Sequence, residues 1–542
     1  MCKSDVVLAG QPLTFHQLRL IGSARARIAA SQDGLERVRQ ARSSLETAIV
    51  GGKAIYGVNT GVGAMKDVRW EADSLATFNI GLVRAHHFGT GAHFPAATIR
   101  KAIAIRVNTL LRGQTGCSMA LVEALLALLR SDVVPAVRRI GSIGCADIGL
   151  MGQIGTVLTG GGHVFWRGHR MPTSHAFAQA GLEPLSLAPR DALAALAVNA
   201  IAFAAAASAL RSAARAVRIL SITSLASSAV VGAARDPWRS AVLLGGHDRT
   251  AIAQWFWTMS QQAGWNEGAQ LQDPLSLRML PQIFGTANGQ LLHAGAIILE
   301  ATAQTDDNPV ILAGEVLTSG GSLPLEVSIA VQGCQLVLAH IARNVFNRNS
   351  ILMNGGRSNM SVNLVADGVV STGFGPALKL MGDLYMRVLA LSAPLSPQQL
   401  TVANGIEDEA SYLPLIIERL EDQVDALLHM AALESLFSAQ AIDNSGVAFG
   451  GAVRLVHALV RRHSLRYILD RPLSGEIEAL RRALSRRDVV ERLLVDTPFD
   501  EVDTFFDLAP VQAGKGRQAG LCAKSVDRPP EQRDDATAGL LA

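Results

Sequence analysis

Apolar residues recur at helical spacing along most of the chain. The longest such run, LPLIIERLEDQVDALLHMAALESLFSAQAI, predicts a helix over 412–442. The same periodicity predicts helices near 32–49, over 98–133 before Pro135, from about 189 to 232, over 287–305 and over 326–353. Residues 193–210, LAALAVNAIAFAAAASAL, are apolar all round except for Asn199 and Ser208. Length alone makes this stretch a candidate membrane span. Its high alanine content and the following Arg211 and Arg215 favour a helix buried inside a bundle, which is apolar on every face for the same reason. Between the helices lie glycine-rich loops: YGVNTGVGAM at 56–65, GSIGCADIGLMGQIGTVLTGGG at 141–162, and residues 355–375. The first half of the second passage reads as a loop running into a helix. GHVFWRG with Met171 predicts a short strand and turn, PVILAGEVL a short extended piece, and 270–285 a loop carrying QDPLSLRMLPQ.

The pattern gives a mainly α chain: a long central helical bundle with functional loops packed on it. It divides into an N-terminal helical and loop region at 1–200, a long-helix region at 201–509, and a tail at 510–542 with little to bury, expected to be disordered. Composition agrees, because the apolar share of 49% is mostly Ala, Leu and Val, and aromatics reach only 5%. Charge excludes a class of partner: 49 basic and 46 acidic residues leave +3, with no concentrated basic face for nucleic acid. The five cysteines, Cys2, Cys117, Cys145, Cys334 and Cys522, are widely spaced and form no metal or disulfide signature. The N-terminus, MCKSDVVLAG, lacks the apolar region of a signal peptide, so a soluble cytoplasmic protein is expected.

Candidate chemistry sits in the loops. Tyr56 precedes glycines that let a ligand approach the backbone. His86 and His87 stand beside Gly89 and Gly91. Arg278, between Pro274 and Pro281 and near Gln272, suits a bidentate carboxylate contact. Glu407, Asp408 and Glu409 follow an Asn-Gly turn. Each also has a plain structural reading, as packing aromatic, structural histidine, internal salt bridge or solvated loop. No dinucleotide fingerprint, Walker lysine or GxSxG elbow is present. The residues alone thus give an enzyme-like helical chain but no reaction.

Taken in order, the loops resemble those of the aromatic amino-acid ammonia-lyases and aminomutases, including histidine and phenylalanine ammonia-lyase. Tyr56 to Gly63, YGVNTGVG, resembles the YGxNTGFG loop. Arg84 to Gly91 sits where histidine ammonia-lyases have SHAAGVG. Gly181 to Leu185 resembles GxxPL, Gln272 to Gln282 resembles QDxYSxRxxPQ, Asp307-Asn308-Pro309 the DNP motif, and Asn404 to Ser411 the ANQEDxxS segment. The resemblance spans about residues 8–440 and implies the fumarase/aspartase-like helical superfold. It implies a homotetramer with sites shared between subunits, and an amino acid or derivative as substrate. It also implies roles: Tyr56 as base or proton relay, Arg278 as carboxylate clamp, Asn308 assisting, Gln272 orienting its loop, and His86 and Glu407 around the substrate side chain.

The family's electrophile, 4-methylidene-imidazole-5-one, forms by cyclisation and dehydration of Ala-Ser-Gly within GSVGASGDL. Here the segment is Gly141-Ser142-Ile143-Gly144-Cys145-Ala146-Asp147-Ile148, one residue shorter and without the serine to dehydrate. Ser142 is followed by Ile143, a poor cyclising partner. The group is therefore expected to be absent, and no metal replaces it. Three further positions differ. The supporting Asn aligns with Ala197, with Asn199 expected on another helical face; the Tyr of QDxYSxR is Leu275; and an aromatic is replaced by Leu323. The reading that follows is a lyase-like enzyme acting at Cα/Cβ of an amino acid or derivative with a better leaving group, with Cys145 as a nucleophile where the electrophile stood. The alternatives are a non-catalytic amino-acid-binding or structural relative, and a conventional ammonia-lyase with a variant cyclisation at Cys145-Ala146-Asp147.

Overall fold

The computed structural model describes residues 4–355 and 360–509. The predicted tail and part of the 355–375 loop lie outside those residues. The elements that position the loops are α1 (Leu75–Ala85), α2 (Ala96–Leu110), α3 (Ile148–Leu158), α4 (Asp191–Leu196), α5 (Ala200–Val230), α6 (Leu280–Ala301), α7 (Leu325–Met353) and α8 (Leu413–Ser445). Strands are short. Ser4–Leu8 pairs in parallel with Ala26–Ala30, while His163–Trp166 pairs with His169–Pro172, and Val310–Leu312 with Glu315–Leu317, as antiparallel hairpins.

The centre is a bundle of α5, α6, α7 and α8. Helix α5 is buried along almost its whole length, as its all-round apolar pattern requires. The stretch Asp191–Val230 is long and apolar enough to cross a membrane, but 89% of its most apolar window is buried inside the protein. Leu325–Met353 passes the same length and composition test. Residues on either side of the expected boundary at 200 pack together: α2 lies along α5, and the described residues up to 509 hold together as one unit.

The bundle has a polar seam. Glu434 of α8, fully buried, pairs with Arg348 of α7 at 2.8 Å and accepts hydrogen bonds from Thr223 and Ser227 of α5 at 2.6 and 2.8 Å. A buried ion pair persists only when its remaining donors and acceptors are satisfied in this way.

A second buried centre lies where the loops join the bundle. Asp307 accepts from both guanidinium nitrogens of Arg106 on α2 at 2.9 and 2.8 Å, from Arg190 at 2.9 Å, and from the Thr115 hydroxyl at 3.0 Å. All four residues are buried. Arg190, with φ +85°, also donates to the carbonyls of Thr115, Asn308 and Pro309.

The helix predicted over 189–232 is interrupted. Ala197 (φ −89°, ψ 63°) and Asn199 (φ −95°, ψ 23°) leave helical geometry, and α5 starts afresh at Ala200. The cause is tertiary. Asp147 accepts the Ala202 amide at 2.8 Å, which caps the first turn of α5, and Asp306 accepts the Asn199 amide at 2.6 Å. The 270–285 loop is likewise more ordered than its sequence suggests: Leu275–Arg278 forms one helical turn, and Pro281 sits in the first turn of α6.

Replacing Asp307 by Ala leaves two guanidinium groups buried without their carboxylate. Stability is expected to fall by roughly 3–5 kcal/mol. Denaturant unfolding checks this, and an unchanged midpoint would show that the centre carries no weight.

Candidate active site

The rewritten loop rests on the N-terminus of α5. Gly144 (φ +79°) and Ala146 (φ +54°) both adopt left-handed backbone. A Cβ on Gly144 would lie 2.5 Å from Ser411 Oγ and 2.7 Å from the Leu413 nitrogen, so only glycine fits. Ser411 donates to the Gly144 carbonyl at 2.5 Å, and the Tyr412 amide donates to the Ile143 carbonyl at 2.9 Å. From beneath, Ser142 donates to Asp147 at 3.0 Å, the Ala146 amide donates to the Ser322 carbonyl and the Asp147 amide to the Val198 carbonyl, both at 2.9 Å. Asp147 is fully buried, and burial pushes its carboxyl up to about 7.

Cys145 stands half-buried at the top of this loop, its Sγ 3.7 Å from Ser322 Oγ. Burial pushes its thiol up, the Ser322 contact pulls it down, and the Glu407 charge pushes it up again. Tyr56 is held by its own loop. Its hydroxyl accepts the Gly63 amide at 2.9 Å, closing the 56–63 loop on itself. Gly57 (φ +62°) lets this loop seat on α4, since a Cβ there would lie 2.4 Å from Leu193 Cδ2. Burial also raises the Tyr56 phenol; the Gly63 amide offsets this in part, and Glu407 and Cys145 add to the rise. Three loops thus share one electrostatic neighbourhood, in which the charge of Glu407 acts on both Tyr56 and Cys145. Glu407 is half-buried on a turn closed by pairing with Val402, and Ala403 of that turn packs on Gly63.

His86 follows α1 and is half-buried. Its Nδ1 lies 2.7 Å from the Leu82 carbonyl, which makes Nδ1 the protonated nitrogen and leaves Nε2 as an acceptor. Its own carbonyl packs against Gly152 of α3, and the neighbouring Phe88 ring lies against Gly141 and Gly149. His86 therefore borders the rewritten loop. Asn308 spends its Oδ1 on the Ser319 amide at 2.9 Å, in the segment that leads to Ser322.

Gln272 and Arg278 lie elsewhere in the chain. Their loop is anchored through the Ser276 carbonyl, which accepts from Asn344 at 2.9 Å, and the Leu277 carbonyl, which accepts from Trp238 at 3.2 Å. Asn344 lies 19 residues along α7 from Leu325, whereas Ser322 lies just before that helix. At about 1.5 Å per residue, the two ends are roughly 28 Å apart. Gln272 is exposed, and the buried Nε of Arg278 and Oε1 of Gln282 have no partner among the described residues.

Three contributors escape a reading of the sequence. Ser322 bridges the loop and Cys145. Ser411 clamps Gly144. Asn199, expected on another helical face, instead donates from Nδ2 to Ser322 and Asp306 at 2.9 and 3.1 Å, and its buried Oδ1 has no partner. Its signal in the sequence was its isolation as a polar residue in 193–207. The helical-face argument failed because the helix is broken at that point.

Two registers test the loop against the family electrophile. With Ala146 at the centre, its methyl group carries nothing to eliminate, and the attacking amide, that of Asp147, is engaged by Val198. With Cys145 at the centre, hydrogen sulfide rather than water would have to leave. The attacking amide would then belong to Ala146, which bears a Cβ and donates to Ser322. Neither register matches the hydroxyl and unhindered glycine amide that the cyclisation uses.

The fold and the loops define a helical carbon–nitrogen lyase. A family model described as aromatic amino acid lyase matches residues 13–462, and the chain belongs to that family. The histidine ammonia-lyase of Pseudoalteromonas atlantica is 29% identical over 495 residues, covering 89% of this chain and 97% of its own. That of Photobacterium profundum is 30% identical, covering 80% and 86%. Among solved structures, the ergothioneine-degrading enzyme ergothionase from Treponema denticola, bound to desmethyl-ergothioneine sulfonic acid, matches with a TM-score of 0.85 and 26% identity, covering 89% of this chain and 99% of that one. The tyrosine aminomutase of Streptomyces globisporus shares the fold at a TM-score of 0.83 and 22% identity.

A thiol pushed up by burial holds little thiolate at neutral pH. Iodoacetamide labelling of Cys145 is expected to be slow at pH 7 and to accelerate as pH climbs past the ordinary thiol range, read by peptide mass mapping. Ser322→Ala is expected to slow it further. Fast labelling at pH 7 would contradict the electrostatics described.

Proposed function

We propose that this protein eliminates an amine from an amino-acid derivative without a methylidene-imidazolone, and that the departing amine is one that leaves unaided. The observation that carries this is the loop itself: no leaving group on Ala146, and amides already engaged by Val198 and Ser322. The chemistry points the same way. The family electrophile works by bonding to the lone pair of a substrate amine. A quaternary ammonium has no lone pair to offer and departs as a neutral amine, so it makes such an electrophile redundant. Ergothioneine, which the Treponema denticola enzyme degrades, is a trimethylammonium betaine of a thiolated histidine and so belongs to this class of substrate.

Tyr56 takes the β-proton. The Cβ–H electrons form the Cα–Cβ double bond, the Cα–N bond breaks, and the amine leaves neutral with the nitrogen's former charge cancelled. Raising the phenol makes its anion a stronger base but a scarcer one at neutral pH. Glu407, beside Tyr56, receives or relays the proton. His86 presents Nε2 to a polar ring. Cys145 has a raised thiol, which favours a small neutral lining group over the nucleophile its position suggests.

Arg278 clamps the carboxylate. The length of α7 between its loop and Ser322 supports a second copy supplying it, as in a homotetramer. Gln272 orients the same loop, and Asn308 steadies the Ser322 segment. The histidine ammonia-lyase relatives favour a second reading, an ordinary ammonia-lyase whose loop cyclises in a variant way.

Intact mass separates the two readings: the sequence mass is expected unaltered, and a loss of water or hydrogen sulfide mapped to 141–150 would overturn the proposal. With ergothioneine as substrate, release of trimethylamine and an unsaturated acid is expected; ammonia release from histidine instead would count against it. Tyr56→Phe is expected to lower kcat by about 10²–10⁴-fold. Wild-type kcat is expected to rise with pH towards the raised phenol, because the active base is the deprotonated form. Arg278→Ala is expected to be inactive alone, and co-refolding it with Tyr56→Phe is expected to restore part of the activity. Absence of rescue would place both residues in one chain's site.

A further inference from the structure

A second cavity, of about 260 Å³, lies between the helix Phe15–Gly22, α2 and α5. It falls just under the ~300 Å³ lower end for pockets that hold drug-sized ligands, so it suits something smaller. Its walls are apolar at Phe15, Leu18, Ala97 and Ala207. Its polar side is cationic. Lys101 of α2, Arg211 of α5 and Arg19 all line it.

The charges there are unbalanced. Lys101 donates to the Ser208 hydroxyl and has no carboxylate partner among the described residues. Arg211 donates to the backbone carbonyls of Phe506 and Asp507, at 3.0 and 2.6 Å. The buried Nε of nearby Arg215 has no partner. The one carboxylate at hand, Asp507, is shared by Arg19 and His16. Around Arg211 the charge of Asp507 is opposed by those of Arg215, Arg19 and Arg487, the last of which is itself paired with Glu491. Lys101 and Arg211 thus line the recess without a carboxylate paired to either, and two such cations in a half-buried recess are costly unless an anion neutralises them.

The recess is also shaped around the lysine. A Cβ on Gly22 would lie 2.7 Å from Lys101 Cε, so the glycine leaves the room through which that side chain reaches the cavity. Burial and the Arg211 charge bring the Lys101 ammonium down to about 8, the direction an unfilled cationic site imposes. An anion placed there reverses it.

We infer that this cavity binds a small organic carboxylate, its charged end held by Lys101 and Arg211 and its apolar end seated on Phe15 and Leu18. The site stands apart from the active-site loops: Ser208 follows Ala202, the residue capped by Asp147, by six positions, about 9 Å along α5. The inference does not depend on the proposed reaction.

Calorimetric titration of the full-length protein with 3-phenylpropanoate tests it, in the wild type and in the Arg278→Ala, Lys101→Met and Gly22→Ala variants. Saturable binding is expected in the wild type and in Arg278→Ala. Binding at least tenfold weaker is expected in Lys101→Met and in Gly22→Ala, which crowds the lysine without removing its charge. Affinity is also expected to fall between pH 7 and pH 10, first as Lys101, brought down to about 8, loses its proton and then as Arg211, brought down to about 10 by burial, begins to lose its own; Arg19, Arg215, Arg487, His16 and the carboxylate of Asp507 are the other charged or titratable groups around them. Absence of saturable binding, as when a second copy's carboxylate fills the recess, overturns the inference. So does binding that survives Lys101→Met and vanishes in Arg278→Ala.

Discussion

The loops of this protein hang from one buried carboxylate. Asp307 joins two arginines and a threonine that approach from α2, from the segment before α4 and from the turn after α2. Single guanidinium groups at that depth would be prohibitive, and sharing one acid between two of them demands that each find further acceptors. Arg190 finds them in three backbone carbonyls, and Arg106 in Thr109 and the Ala194 carbonyl. The charge thereby fixes the backbone around it.

From that point order passes outward in steps. Asp306, the preceding residue, fixes Asn199 at the start of α5; Asn199 and Ala146 share the Ser322 carbonyl; and Ser322 touches Cys145. Asp147 grips the same helix start from the other side. Two buried acids at one helix N-terminus explain why α4 and α5 do not fuse. Burial pushes Asp306 up to about 6 and Asp147 to about 7, so they resist charging even though backbone amides favour their anions.

Much of this is legible in the sequence. Long helices such as α8 show themselves because burial on most faces leaves an unambiguous apolar period. Tyr56, His86 and Glu407 have plain structural readings when taken singly, and become candidates only through the order in which their loops resemble the family's. Other features leave no local trace. The break before Ala200 falls within an unbroken apolar run and is imposed by acids more than fifty residues away on one side and over a hundred on the other. Ser322 works mainly through its carbonyl, which any residue could supply. Arg278 has the right identity and setting, yet sequence order says nothing of the length of α7 that separates it from Cys145.

Helix α5 carries one more consequence, for the making of the protein. Its main packing partner is α8, which begins about 180 residues later in the chain. At ribosomal speeds of roughly 5–20 residues per second, this alanine-rich apolar segment waits on the order of 10–40 s before its partner emerges. Throughout that interval a stretch of membrane-span length and hydropathy lacks its main partner, although α2 has already emerged. The apolar face that α8 covers in the finished protein is therefore among the last parts of α5 to be buried during synthesis.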